Sequence, residues 1–97
     1  MKLINIGFGN LIALEKIVCV LTPESAPVKR LIHLAKEKNI LIDATCGRKT
    51  QSVFIMNSEH VVLSALTSEK ILSKLEKEEL ENLNFNNWSF FINLYIF

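Results

Sequence analysis

The feature that most constrains the fold is a glycine turn between two short apolar runs in the middle of the chain. Ile40–Ala44 is aliphatic and follows a polar Lys-Glu-Lys-Asn stretch, and Gln51–Met56 resumes an apolar run. Both patterns are typical of strands. Gly47 lies between them and permits a backbone turn that a residue with a Cβ would resist. The sequence therefore predicts two strands joined by a loop, and binding residues are often found on such scaffolded loops.

This loop carries two adjacent cations, Arg48 and Lys49. Residues 1–66 hold eight Lys/Arg and five Asp/Glu, whereas residues 67–97 hold three Lys and five Glu, so the basic excess lies in the part of the chain that includes the loop. A displayed positive pair favours the binding of an anion. A simple solvated loop tip remains the alternative.

The other segments alternate between strand-like and helix-like patterns. A first strand is predicted at Leu3–Phe8, a second within Ile12–Leu21 (most clearly Ile17–Leu21), a hairpin at Ser52–Met56 and His60–Leu66, and helices at 26–38 and 67–82. The predicted fold is α+β, with a small, mainly antiparallel sheet and two helices. Its length predicts a single domain, here residues 1–83.

The helix predicted at 26–38 has clear signals at both ends. Ser25 is a natural N-cap, Pro27 is tolerated in a first turn, and Asn39 can close the helix in a left-handed conformation. An apolar stripe at helical spacing predicts a buried face; it consists of Val28, Leu31, Ile32 and Ala35. Lys29 and Arg30 lie away from it. They belong either to an ordinary solvated surface or to a basic face continuous with the loop.

Residues 84–97 form an aromatic-rich tail of different composition. The aromatic residues there are Phe85, Trp88, Phe90, Phe91, Tyr95 and Phe97. The tail is too short to span a bilayer, and no apolar run elsewhere predicts a membrane span. An added strand, an interfacial anchor and an unselected extension are all open, but docking onto the same or a neighbouring subunit is favoured, because so much exposed aromatic surface promotes aggregation.

The sequence does not predict an enzyme, a metal site or a cofactor. Gly7-Phe8-Gly9-Asn10 resembles the start of a dinucleotide-binding loop, but a third glycine would be required where Ile12 stands, so a structural turn is favoured. Cys19 and Cys46 have no metal-ligand spacing and are interpreted as free thiols in a reducing cytoplasm. His33 and His60 lack the neighbours that a catalytic or metal site needs.

Four blocks of sequence, in register over about residues 2–75, carry a family resemblance. They are LINIGFGN at the start, PESAPVKR at 23–30, LIDATCGRKT at 41–50 and SEHVVLSA at 58–65. Together they resemble the RemA family, which consists of small bacterial regulators of extracellular-matrix (biofilm) genes.

The resemblance implies a DNA-binding activator of transcription that assembles as a ring-like homo-oligomer on double-stranded DNA. The family's pair of basic residues for DNA contact corresponds to Arg48 and Lys49, and a further basic position corresponds to Lys16. Family members often carry an arginine where this chain has Gln51. We expect contacts mainly to phosphates, since no recognition helix is apparent.

The predicted DNA-binding residues are Arg48, Lys49, Arg30, Lys29 and Lys16. The last three could equally be interface residues between subunits. The alternative function is a protein-binding scaffold or regulatory module that does not bind DNA directly.

Overall fold

A computed structural model describes residues 2–83, with side chains described as far as residue 77. The elements are, in order, β1 (Leu3–Asn5), β2 (Leu11–Ala13), a 3-10 turn (Leu14–Lys16), β3 (Ile17–Leu21), α1 (Ala26–Glu37), β4 (Leu41–Asp43), β5 (Ser52–Met56), β6 (Val61–Ser64) and α2 (Ser68–Leu83). The aromatic tail, residues 84–97, lies outside the described residues.

The strands form a two-stranded hairpin, β1–β2, and a four-stranded sheet in the order β3-β5-β6-β4. β5 is antiparallel to both β3 and β6, whereas the edge strand β4 is parallel to β6. The α+β class with a mainly antiparallel sheet and two helices is therefore confirmed. The ring-like oligomer stays a prediction.

The four-stranded sheet is buried on both faces because its central strands are apolar at successive positions. Along β5, Val53 and Ile55 face one hydrophobic cluster, and Phe54 and Met56 face the other. α1 covers the first face through Ala35. Ile4 and Ile6 of the first hairpin and Ile71 of α2 cover the second, and Phe54 at its centre is fully buried. A strand that is buried on both sides reads as a continuous apolar run.

α1 begins and ends as the sequence predicts. The Ser25 hydroxyl accepts a hydrogen bond from the Val28 N–H (3.4 Å), which satisfies one of the free donors of the first turn. Asn39, with φ +59°, ends the helix in the left-handed conformation. In the predicted apolar stripe, Ala35 is buried in the cluster beneath α1, and the half-buried Val28 and Ile32 pack against that cluster. Leu31 is half-buried and instead lines the groove between α1 and the sheet.

The structure confirms the strand at Ile17–Leu21, which is β3, and corrects the prediction for the residues before it. Residues 11–16 form β2 and the 3-10 turn, and β2 pairs with β1 instead of extending β3. The first strand ends at Asn5 rather than Phe8, because Gly7, Phe8 and Gly9 all have positive φ and form the tip of the hairpin. At the start of α2, the Thr67 hydroxyl accepts from the Lys70 N–H (3.3 Å) and so caps the helix.

Candidate nucleic-acid interface

The loop between β4 and β5 is held by its own hydrogen bonds. One carboxylate oxygen of Asp43, Oδ1, accepts from both the Thr45 N–H (2.9 Å) and the Thr45 hydroxyl (2.6 Å). The Thr45 carbonyl then accepts from the Arg48 N–H (3.0 Å) and closes a turn through Cys46 and Gly47, both with positive φ. Arg48 is therefore exposed to solvent on a turn whose backbone is fixed by hydrogen bonds.

The Asp43 carboxylate is stabilised in its charged form by this turn. The hydrogen bond from the Thr45 hydroxyl, followed by that from the Thr45 N–H, lowers the pKa of Asp43. A carboxylate that accepts such bonds is favoured over its protonated form. At neutral pH the Asp43 carboxylate is therefore charged and accepts both hydrogen bonds from Thr45.

Both ends of the loop are bonded to the end of β6. The Ala44 N–H donates to the Leu63 carbonyl (3.0 Å), and the Gln51 N–H donates to the Ser64 carbonyl (2.8 Å). From the strand directions, this is the end of the sheet at which β3, β4 and β6 finish and β5 starts. We call it the loop end of the sheet.

The start of α1 lies at the loop end as well. β3 ends there at Leu21, and α1 begins at Ala26. Because the connection between them is short, the first turn of α1 stays near the loop end. Lys29 and Arg30, near the start of α1, are both exposed. From the order of the elements, we infer that the pair on the first turns of the helix starts from the same end of the sheet as the pair on the loop.

Lys16 lies at the opposite end. Its carbonyl accepts from the Asn57 N–H (2.8 Å), and the next residue, Ile17, pairs with Met56 at the finish of β5. Because β5 spans about 13 Å at ~3.3 Å per residue, a single subunit does not bring Lys16 together with Arg48 and Lys49. Lys16 and the loop cations could contact the same DNA only if the duplex ran along the length of the sheet, or if Lys16 came from another subunit.

The structure adds a residue that the sequence did not identify as part of the site. The guanidinium carbon of Arg48 lies 5.8 Å from the centre of the Phe8 ring, a cation–π distance. The Asn10 side-chain amide donates to the Gly7 carbonyl (3.1 Å) and reaches the Ala44 carbonyl (3.5 Å), so the hairpin tip and the basic loop are joined. The only sequence signal was an aromatic residue between two glycines, which was interpreted as a structural turn.

The other candidate groups are dispersed. Cys46 is exposed on the loop and Cys19 is half-buried, both as free thiols. His33 lies near Glu37 on α1 (Nε2 to Oε1, 3.1 Å), and His60 contacts the Ser58 hydroxyl (2.8 Å) at the end of the sheet opposite Cys46. Among the side chains that the structure describes, residues 2–77, no group of three or more His, Cys, Asp or Glu comes together as a metal site.

In the part of the chain that the structure describes, neither helix combines the length and the apolar composition that crossing a bilayer requires.

Comparison with known proteins identifies the family. The family model for extracellular matrix regulatory protein A-like (RemA-like) proteins matches residues 3–75. A relative from Carboxydothermus hydrogenoformans named "Putative regulatory protein" is 49% identical over 84 residues, which cover 87% of this chain and 97% of the relative. Relatives of the same designation from Dictyoglomus turgidum and Halalkalibacterium halodurans are 52% and 51% identical, covering 84% and 82% of this chain and 95% and 93% of theirs.

The match spans β1 to the first half of α2, and therefore includes the hairpin tip, α1 and the basic loop. The family and the names of these relatives support a regulatory role. The chain is a member of the RemA-like family.

Proposed function

We propose that this protein is a DNA-binding regulator whose leading contacts are Arg48 and Lys49, with Lys29 and Arg30 beside them and Lys16 further away. The observation that carries the proposal is the hydrogen-bonded turn from Asp43 to Arg48, which holds exposed cations at one end of the sheet. Fixed cations lose less conformational entropy on binding a phosphate than cations on a free chain do.

The number of cations implies that subunits act together. Each phosphate contact contributes about 0.9 to the slope of log affinity against log salt, so one contact weakens about 3.5-fold between 50 and 200 mM salt. Two contacts on a single loop are too few for useful affinity at physiological salt. A ring-like homo-oligomer would repeat the loop, and the repeated contacts would raise the avidity without any new chemistry.

The recognition that this arrangement favours is of backbone and shape. Phosphate contacts position a protein on the duplex, while specificity without base contacts comes from the sequence-dependent ease of bending DNA. We further propose that the protein activates extracellular-matrix (biofilm) genes. The description of its family as extracellular matrix regulatory protein A-like supports a role in matrix regulation. The protein acts in the cytoplasm, where the DNA is, without catalysis and without a cofactor.

The test compares variants that remove cations from opposite ends of the domain. Arg48→Ala/Lys49→Ala removes the loop pair. Lys38→Ala removes an exposed cation at the finish of α1, where it borders the same groove as Asn57 and Glu59 at the end of the sheet opposite the loop. Affinity for a short duplex is measured across a salt series, and the mass of each assembly is measured by light scattering. We expect the first variant to lower the slope by about 1.8 per engaged subunit and the second to change it little.

Two results would contradict the proposal. One is an unchanged slope in Arg48→Ala/Lys49→Ala at unchanged mass, which would place the DNA contacts elsewhere. The other is an equal reduction per removed charge in both variants, which would mean that only net charge matters and that the loop has no special part.

The alternative function, binding of a protein partner, has one observation in its favour. Val18 on β3 and Leu34 on α1 are 64% and 42% exposed and border an apolar groove of about 450 Å³ between the helix and the sheet. Deletion of residues 85–97 separates the two functions. DNA binding that persists while a partner is lost would assign the tail to docking; a regulator with no DNA affinity at any salt concentration would favour the scaffold.

A further inference from the structure

Phe8 has a backbone conformation that its residue type disfavours. Its φ is +55°, and its neighbours Gly7 and Gly9 have φ of +110° and +77°. Glycine or asparagine adopts such a conformation readily, whereas a bulky residue is a genuine outlier there. Burial does not compensate for this cost, because the Phe8 side chain is 53% exposed.

The tip that carries Phe8 is held firmly in place. The Asn5 side chain accepts from the Gly7 N–H (2.8 Å), the Gly7 carbonyl accepts from the Asn10 N–H (3.0 Å), and the Asn10 carbonyl accepts from the Ile6 N–H (2.9 Å). Strained backbone conformations persist where the surrounding structure fixes them, and they are found most often at functional sites. The conformation of Phe8 therefore suggests a functional role for its side chain. The ring contacts the Arg48 guanidinium, 5.8 Å from its centre, and is still half exposed, so part of it is open to a partner outside the subunit.

We propose that Phe8 is a DNA contact, an apolar wedge that enters the minor groove beside the phosphate bound by Arg48. This inference rests on the proposed DNA-binding function and adds a contact that carries no charge. The two side chains would form one composite surface, in which the cation fixes the backbone and the ring acts on the stacked bases.

The distance between the two groups fits this arrangement. The minor groove is about 6 Å wide and is bordered by phosphates on both sides. A ring centred 5.8 Å from a guanidinium that rests on a phosphate is therefore close enough to reach into the groove when it lies on the groove side of that phosphate. Phenylalanine is among the residues that proteins insert between base steps to kink a duplex.

The wedge also has a physical use for an oligomer that follows curved DNA. Bending a duplex smoothly over a short site costs free energy, and partial unstacking at one step localises the bend. A wedge repeated in each subunit would kink the DNA at regular intervals and favour sequences whose steps unstack easily. It would thereby contribute selectivity that phosphate contacts lack.

The test uses the full chain and three substitutions. Phe8→Asn removes the ring and suits a positive φ, so we expect equal or higher thermal stability than in the natural chain. Phe8→Tyr keeps the ring. Leu11→Thr is the control, because Leu11 is an exposed apolar residue (56%) on the same hairpin. The measurements are duplex affinity across salt, the bend from energy transfer between labelled duplex ends, and the fluorescence of 2-aminopurine in the duplex, which rises on unstacking.

We expect Phe8→Asn to bind roughly tenfold more weakly, with an unchanged salt slope, a smaller bend and no rise in 2-aminopurine fluorescence. Phe8→Tyr and Leu11→Thr should both retain the affinity and the bend. The 2-aminopurine signal of the unsubstituted protein tests the wedge without any variant, so the proposal does not depend on how one substitution folds.

Three results would overturn the wedge while leaving DNA binding intact. The first is a Phe8→Asn variant that bends DNA as the unsubstituted protein does. The second is a salt slope that Phe8→Asn lowers as Arg48→Ala does, with no further loss of affinity when these two substitutions are combined, which would make Phe8 a positioning residue for Arg48. The third is a changed assembly mass, which would make it a contact between subunits. An unsubstituted protein without duplex affinity would instead overturn the proposed function itself.

Discussion

Ser64 at the end of β6 offers a direct test of how the hairpin is attached to the sheet. Its side chain is fully buried, and its hydroxyl donates to the Ile6 carbonyl (2.7 Å) while accepting from the Leu66 N–H (3.0 Å). One oxygen thus connects three parts of the fold: the first hairpin, the sheet and the turn before α2. Replacement of Ser64 by alanine removes both bonds without removing a carbon atom.

The expected loss of stability can be worked out from these contacts. A buried carbonyl that loses its partner costs about 1–3 kcal/mol, and Ile6 is almost wholly buried. Leu66 is half-buried, so its N–H can partly regain water and contributes about 0.5–1.5 kcal/mol. We therefore expect Ser64→Ala to lower the free energy of unfolding by about 2–4 kcal/mol.

Urea denaturation at one fixed protein concentration measures this loss, since association would make stability depend on concentration. With a slope of about 1–1.5 kcal/mol/M, the midpoint should fall by roughly 2 M. Ser58→Ala is the matched control, because Ser58 is exposed and its hydroxyl contacts the His60 ring at the surface, so its loss should cost less than about 0.5 kcal/mol. A loss in Ser64→Ala no larger than in the control would refute the reasoning.

Three further predictions follow from single contacts. The lowered pKa of Asp43 stabilises the fold at pH values above the ordinary pKa of about 3.9, and this contribution is lost as the pH falls through the lower pKa of the folded state. The difference in the free energy of unfolding between the natural chain and Asp43→Ala, measured by denaturation at several pH values, should therefore shrink towards pH 3. Gly47→Ala should cost about 1–2 kcal/mol by thermal denaturation, for backbone reasons only, because φ is +80° and nothing lies within 4 Å of an added Cβ. Phe54→Ala should cost about 3–5 kcal/mol in urea, since the ring is fully buried between the hairpin, α2 and the sheet.

The features that the sequence predicted correctly depend on near neighbours. The strand, turn and strand around Gly47 and the hairpin from β5 to β6 were confirmed, as were the cap at Ser25 and the left-handed Asn39. Each is decided within a few residues, by the missing Cβ of glycine or by a side chain that competes for a nearby N–H. The exposed position of Arg48 and Lys49 follows from that same turn.

Other features were settled by packing between distant segments. The apolar run from Leu11 to Leu14 contains no breaker, so its division into β2 and a 3-10 turn depends on pairing with β1. The sequence likewise carried no signal that β4 would lie parallel to β6. Strand partners are chosen by the surface that the whole sheet buries, and a local pattern does not contain that information.

The candidate site shows the same division. The sequence by itself determined the chemistry, a pair of cations on a glycine turn, because that chemistry lies within one continuous stretch. Only the tertiary structure placed Phe8 over Arg48 and Lys16 at the far end of the sheet. Those positions follow from the fold of the hairpin onto the sheet and from the length of β5, which are long-range consequences of burying Ile4, Ile6 and Phe54 together.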